Sequence, residues 1–264
     1  VVALIASFVF VGSAPAETTS EATRMNVMLV IDGSGSLTAS GSATDPNGYR
    51  YDAIDLFLAL LTEQGNNVGA VVFNGRSEDM PLESDIAELN GKDPKMALSD
   101  KIKKAGTGGY TNIGAALLKG VQNASDANKQ NGLPSVVILF SDGQTEVAGG
   151  KSELNASLKA KEDAIVLAQQ ENIPVYTICL SVNNSGGQAE MKEIAERCSG
   201  QYVKVDNASA LTQGFETFYK IIFGSSGTVI QKATFPADGI LNFDFDIPAY
   251  GAEEVNVILD TREL

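Results

Sequence analysis

The chain has 264 residues, 44% apolar and 20% charged, which is a globular composition and not that of a disordered segment. Its formal net charge of −14 argues against nucleic acid as a partner, because phosphate recognition needs a basic surface. It contains no histidine, which removes Ser-His-Asp and Cys-His catalysis and histidine zinc sites, and its two cysteines form no CxxC pair.

Residues 1–16 read as a secretory leader cut at its amino end. The apolar part is about 12 residues, too short for a hydrocarbon core of roughly 30 Å, and Ala14-Pro15-Ala16 suits a cleavage site. The alternative is a membrane anchor that has lost its first residues. Either way the expected location is extracytoplasmic, secreted or at the cell surface, where disulfides are permitted. Any membrane contact is then expected only through an anchor outside this chain. Residues 17–24 read as a linker.

From Met25 the pattern alternates strand and helix. Val27 to Ile31 is a continuous, mostly branched apolar run, the mark of a strand buried on both faces. It ends in Asp32-Gly33-Ser34-Gly35-Ser36. A polar loop covers Leu37 to Gly48, and a helix is expected over about 49–63, where Ala53, Ile54, Phe57, Leu58 and Leu61 recur at helical spacing. Val68 to Phe73 is a second strand. Asp79 to Leu82 suits a short edge strand, since Pro81 is tolerated there, and residues 84–105 read as short helices broken near Gly91 and Pro94. Gly106 to Asn112 is a flexible loop, opening a helix over about 112–126 with Asn112 or Thr111 as cap.

Ser135 to Phe140 is the most apolar strand, and it runs into Ser141-Asp142-Gly143. Then follow a helix at about 152–171, a strand from Pro174 to Ser181, a helix from Gln188 to Arg197, a strand from Gln201 to Val205, and a helix from Ala208 to Ile222. This order predicts an α/β fold: a doubly wound, mostly parallel sheet flanked by helices. After Gly224 the period changes to two, over Ile240 to Ile247 and again over Val255 to Leu259. Residues 224–264 therefore read as the start of an antiparallel, sandwich-like β domain, cut before it is complete.

In an open α/β sheet, ligands bind beyond the carboxyl ends of the strands. Asp32, Ser34 and Ser36 lie at one such end, Asp142 at a second, and Thr111 at a helix start. Together they offer five oxygen donors from three loops. Hard cations take oxygen ligands, and Mg²⁺ commonly uses one or two carboxylates and keeps a position for another oxygen. A divalent cation is therefore expected, Mg²⁺ first, with Mn²⁺ or Ca²⁺ as alternatives. Competing readings fit less well. Asp32 and Ser34 as plain turn caps leave Thr111 and Asp142 unexplained. A phosphatase of the D-x-D type needs a second acid where Ser34 stands. No G-x-S-x-G elbow surrounds Ser34 or Ser36, and no Walker lysine follows Gly106 to Gly109.

These motifs resemble the von Willebrand factor type A domain, the family that includes the integrin inserted domain. Its metal-ion-dependent adhesion site is D-x-S-x-S, then a distant Thr, then a distant Asp in an S/T-D-G turn. Here those positions are Asp32-Gly33-Ser34-Gly35-Ser36, Thr111 within Gly-Tyr-Thr-Asn-Ile, and Asp142 within Phe-Ser-Asp-Gly, over residues 25–223. The resemblance implies Ser34, Ser36 and Thr111 as direct ligands, and Asp32 and Asp142 as ligands directly or through water. It implies a non-enzymatic binding module. An acidic side chain of a protein or extracellular-matrix partner would complete the metal shell. An accessory subunit of a transporter, channel or enzyme, or a spacer with a stabilising metal, is the alternative. Finally, Cys179 ends a strand and Cys198 ends the next helix. In an oxidising location they read as a disulfide closing a loop of about 20 residues, worth roughly 3 kcal/mol; two small buried thiols are the alternative.

Overall fold

Most of the apolar runs become strands, and their burial shows why. The computed structural model describes residues 2–12, 24–39, 41–61, 66–74, 82–89, 92–180, 184–223, 226–234 and 252–263. It comprises one unit of residues 24–216 and another of residues 1–23 with 217–264. The strands are β1 (Val2–Gly12), β2 (Asn26–Asp32), β3 (Asn67–Phe73), β4 (Leu82–Glu88), β5 (Ser135–Ser141), β6 (Val175–Leu180), β7 (Tyr202–Val205), β8 (Ser226–Thr234) and β9 (Ala252–Glu263). The helices are α1 (Tyr49–Leu60), α2 (Lys92–Lys104), α3 (Ile113–Asn131), α4 (Gly150–Gln170), α5 (Ser185–Arg197) and α6 (Leu211–Phe223).

In the first unit the sheet order is β4-β3-β2-β5-β6-β7, parallel except for β4, which runs antiparallel on the edge beside β3. Every residue of β2, β3 and β5 is buried, as strands covered on both faces must be. Side chains alternate between the faces. Met28 and Val30 join Val137 and Leu139 in a core with Ile113 and Leu117 of α3 and Ile165 of α4. On the other side, Ile178 of β6 lies next to Gly214 of α6, and Phe215 of α6 meets Phe57 of α1 edge to face at 5.9 Å. Among the described residues no helix is long and apolar enough to cross a membrane.

The α3–α4 crossing depends on one glycine. A Cβ on Gly114 would sit 1.8 Å from the carbonyl oxygen of Ser157. Backbone cannot yield as a side-chain tip can, so Gly114→Ala costs about 3 kcal/mol, the upper end of overpacking. Better helix propensity returns about 1 kcal/mol. The expected net loss is about 2 kcal/mol, read as a lower denaturation midpoint.

Three local expectations differ from the structure. The edge strand is Leu82–Glu88: it starts on the last residue of the expected strand and runs on into the stretch read as helical, while residues 79–81 lie outside the described residues. Pairing with β3 selects it, and its acidic composition suits an edge and hides its strand character. Pro94 does not break a helix: it is the third residue of α2, in the first turn, where a missing N–H costs nothing. The disulfide does not form. Cys179 and Cys198 are both free and buried. The carbonyl of Cys198 accepts from the N–H of Val175, at the start of β6, whereas Cys179 lies four residues further along that strand. At about 3.3 Å per residue the separation is ~13 Å, well beyond the ~7 Å limit between bridged Cα atoms. A helix following a parallel strand runs back to the opposite edge, so the two residues end at opposite ends of the sheet. Burial pushes each thiol up to about 11, which leaves both unreactive as nucleophiles.

In the second unit β8 and β9 each pair antiparallel with β1, in the order β8-β1-β9. The antiparallel character expected after Gly224 is present, and its central strand comes from the stretch read as a leader. An unpaired apolar run leaves its backbone groups unsatisfied, and β1 pairs them on both sides. Residues 13–23, with the cleavage-like Ala14 to Ala16, and the alternating run 240–247 lie outside the described residues.

Candidate metal centre

Chain reversal in the sheet creates the site. From β2 the chain goes to β3 on one side, and the later β5 lies on the other. The loops leaving β2 and β5 therefore diverge, opening a crevice at this switch point. Register places Ile31 opposite Phe140, so Asp32 and Ser141 end neighbouring strands side by side.

All five expected donors meet there. Asp32 is fully buried; its Oδ1 accepts from the N–H of Ser34 at 2.6 Å and its Oδ2 from the Ser141 hydroxyl at 2.5 Å. The hydroxyls of Ser34 and Ser36 lie 3.0 Å apart, and Ser36 donates to Asp142 Oδ1 at 2.9 Å. Thr44 donates to the other oxygen of Asp142. Thr111 exchanges both backbone hydrogen bonds with Glu146, each at 2.7 Å, and its Oγ1 lies 3.7 Å from where a Cβ of Gly143 would stand. A cavity of about 570 Å³ opens over this cluster. Ser36, Thr44, Thr111 and Asp142 line it, while Asp32 and Ser34 lie buried beneath.

Glycines allow this packing. The amide of Gly35 donates to the carbonyl of Gly109 at 3.1 Å, and that of Gly108 to Gly33 at 2.8 Å, so the Gly-rich loop lies directly on the Asp32 turn. A Cβ on Gly33 would come within 2.9 Å of Val72 and 3.2 Å of the Phe73 carbonyl.

The electrostatics favour a cation. Burial, then the Asp142 charge, raise Asp32 to about 7, against hydrogen bonds from Ser141 and Ser34. Burial also raises Asp142, opposed by hydrogen bonds from Thr44 and Ser36. Arg50, already paired with Asp45, supplies only the smallest of the opposing effects on Asp142. Two neighbouring buried carboxylates thus lack a countercharge of their own. No group of three or more His, Cys, Asp or Glu converges among the described residues. The donor set is therefore two carboxylates and three hydroxyls, which fits a hard divalent cation that takes few carboxylates.

Residues beyond the five expected donors support them. Ser141, adjoining Asp142, is visible once Asp142 is suspected. Thr44 is invisible in sequence, because a long loop returns it to the site. That loop is held by Asp45, whose Oδ1 accepts from the Tyr49 N–H at 2.7 Å and whose Oδ2 pairs with Arg50 at 2.6 Å. Both side chains are buried, at 0% and 2% exposed. The guanidinium also stacks on Tyr51 at 4.2 Å. Asn112, as expected, caps α3 by accepting from the Ala115 N–H.

The von Willebrand factor type A domain model matches residues 26–217. Among solved structures, a von Willebrand factor type A protein from Catenulispora acidiphila is 15% identical with a TM-score of 0.58, over 82% of this chain and 45% of that one. The pilus adhesin SpaC from Lactobacillus rhamnosus GG is 14% identical with a TM-score of 0.63, over 79% and 32%. The PilB minor pilin from Streptococcus sanguinis is 17% identical with a TM-score of 0.55, over 78% and 63%. At these identities the likeness concerns the fold, and this chain matches less than two thirds of each of those proteins. A search of curated proteins returns no match.

Proposed function

The chain belongs to the von Willebrand factor type A domain family, and from that premise we propose that it is an adhesion-type binding module working outside the cytoplasm. The observation that carries this reading is the convergence of Asp32, Ser34, Ser36, Thr111 and Asp142 at the switch point, under an open cavity. These five residues would hold a divalent cation, with Mg²⁺ the first choice. When bound, the cation supplies the missing positive charge and an open coordination position for an outside oxygen. A carboxylate of a protein or matrix partner is the natural occupant. The rest is done by this chain: the strand ends orient the carboxylates, the glycine loop lets the turns approach, and Thr44 steadies Asp142. No nucleophile with a matching base is part of the reading, so binding and not turnover is the proposed activity. The pilus adhesin and minor pilin among the structural neighbours favour the same direction.

The test is retention of the purified chain on a surface coated with extracellular-matrix extract. Retention is expected in Mg²⁺, lost in EDTA, restored by Mn²⁺ and absent in Thr111→Ala. Retention indifferent to EDTA and to Thr111→Ala would overturn the reading. Stabilisation by the cation with no retention on the matrix would instead favour a spacer or an accessory subunit.

A further inference from the structure

The loop that carries Asp142 has no regular structure of its own from Gly143 to Glu146 beyond its bridge to Thr111. Ser141 accepts from the Gly143 N–H at 3.2 Å, Ser36 and Thr44 bond Asp142 itself, and the first two turns of α5 hold the stretch beyond it. Gly187 lies so close to Gly143 that a Cβ there would be 2.7 Å from the Gly143 carbonyl oxygen. One turn later, Glu190 accepts from the Thr145 N–H through one oxygen and from the Thr145 hydroxyl through the other, each at 2.8 Å. The next residue, Glu146, makes the paired backbone bonds with Thr111. The Glu190 carboxylate is 11% exposed and lies 3.6 Å from the ammonium of Lys161, itself 10% exposed, which also reaches Glu193 at 3.2 Å. Bonds to an ionised carboxylate are stronger than neutral ones, and two of them fix both position and orientation.

We propose that Glu190 is a positioning residue for the oxygen cluster: by clasping Thr145 it holds Asp142 on one side of that residue and Thr111, through Glu146, on the other. This rests on the metal reading, because its consequence is the cation affinity of the site. Groups behind the ligands set ligand orientation, and their loss weakens metal binding by about 10–100-fold. Glu190 touches neither the cation-facing oxygens nor the cavity; it acts through the loop.

The experiment compares Glu190→Ala, Glu190→Gln and Glu193→Ala in the full chain. Mn²⁺ binding is followed by calorimetry and amide exchange is measured at Thr111 and Glu146. Glu190→Ala is expected to weaken Mn²⁺ binding by at least about tenfold and to speed exchange at both amides. Glu190→Gln restores most of the affinity, because its amide oxygen accepts from the Thr145 N–H and its amide group donates to the Thr145 hydroxyl. Glu193→Ala, which removes a Lys161 partner but no bond to Thr145, stays near wild type in both readouts. A Glu190→Ala protein that melts earlier but keeps wild-type Mn²⁺ affinity and amide protection would overturn the proposal, leaving Glu190 a general stabiliser. If the wild type takes up no Mn²⁺, the metal reading fails, and amide exchange alone decides whether Glu190 positions the loop.

Discussion

Asp142→Asn is expected to abolish cation-dependent stabilisation while making the cation-free protein more stable. Both effects come from the same pair of carboxylates. In the cation-free protein Asp32 and Asp142 are buried close together, and each is raised above the ordinary carboxylate range. An asparagine keeps the shape, accepts from one of the hydroxyls of Ser36 and Thr44, and donates to the other. It removes one buried charge and its repulsion on Asp32. A relief equivalent to one pKa unit amounts to about 1.4 kcal/mol, so a gain on the order of 1 kcal/mol is expected. The cation acts in the opposite direction. At a concentration about 100 times its Kd, a ligand specific to the folded state adds ~2.7 kcal/mol. That shifts the melting temperature of a domain of this size by about 5–10 °C. Scanning calorimetry with and without Mg²⁺ reads both quantities. A wild-type protein unmoved by Mg²⁺ and Mn²⁺, or a variant that still responds, would count against the metal centre.

The second large effect is expected away from the centre. Arg50→Ala should lower stability by about 3–5 kcal/mol, the range for a buried pair robbed of one partner. Asp45 would keep its backbone bonds to the N–H groups of Tyr49 and Arg50, but its charge would remain buried without a cation. The stacking on Tyr51 would also go. Arg50→Lys should recover little, since an ammonium cannot both pair with Asp45 and bond the Tyr51 hydroxyl from one planar group. Because Asp45 anchors the loop that returns Thr44 to Asp142, the same variant should also reduce the Mg²⁺-induced shift. Denaturant unfolding in EDTA measures the first effect, and repeating it in Mg²⁺ measures the second.

Much of the fold is legible in the chain. Strands such as Val27 to Ile31 and Val136 to Phe140 are apolar without interruption and mostly branched, and only burial on both faces suits them. Helices α1, α3 and α5 start at or within a few residues of where the periodicity places them. The failures have a common cause. Leu82–Glu88 is a strand because β3 offers it a partner, and nothing in its acidic composition announces that. The cysteine pairing failed on direction: closeness in sequence places Cys179 and Cys198 on consecutive elements, but those elements run opposite ways.

The centre divides in the same way. Asp32, Ser34 and Ser36 stand out as an oxygen-rich turn after an apolar strand and Asp142 as a second strand end, which are local properties, while Thr111, at a helix start, joins the expected set through the resemblance to the type A domain motif. The chain alone determined their chemical types, their order and their place at strand and helix ends. Tertiary structure decided that β5 lies beside β2, that the Asp32 and Asp142 carboxylates share one buried space, and that Thr44 and Glu190 hold the second of them through Asp142 itself and through Thr145. Local backbone and side-chain preferences act over a few residues and can be read in order. Strand partnership, burial and charge proximity depend on residues tens to a hundred positions apart, and only the folded chain brings those together.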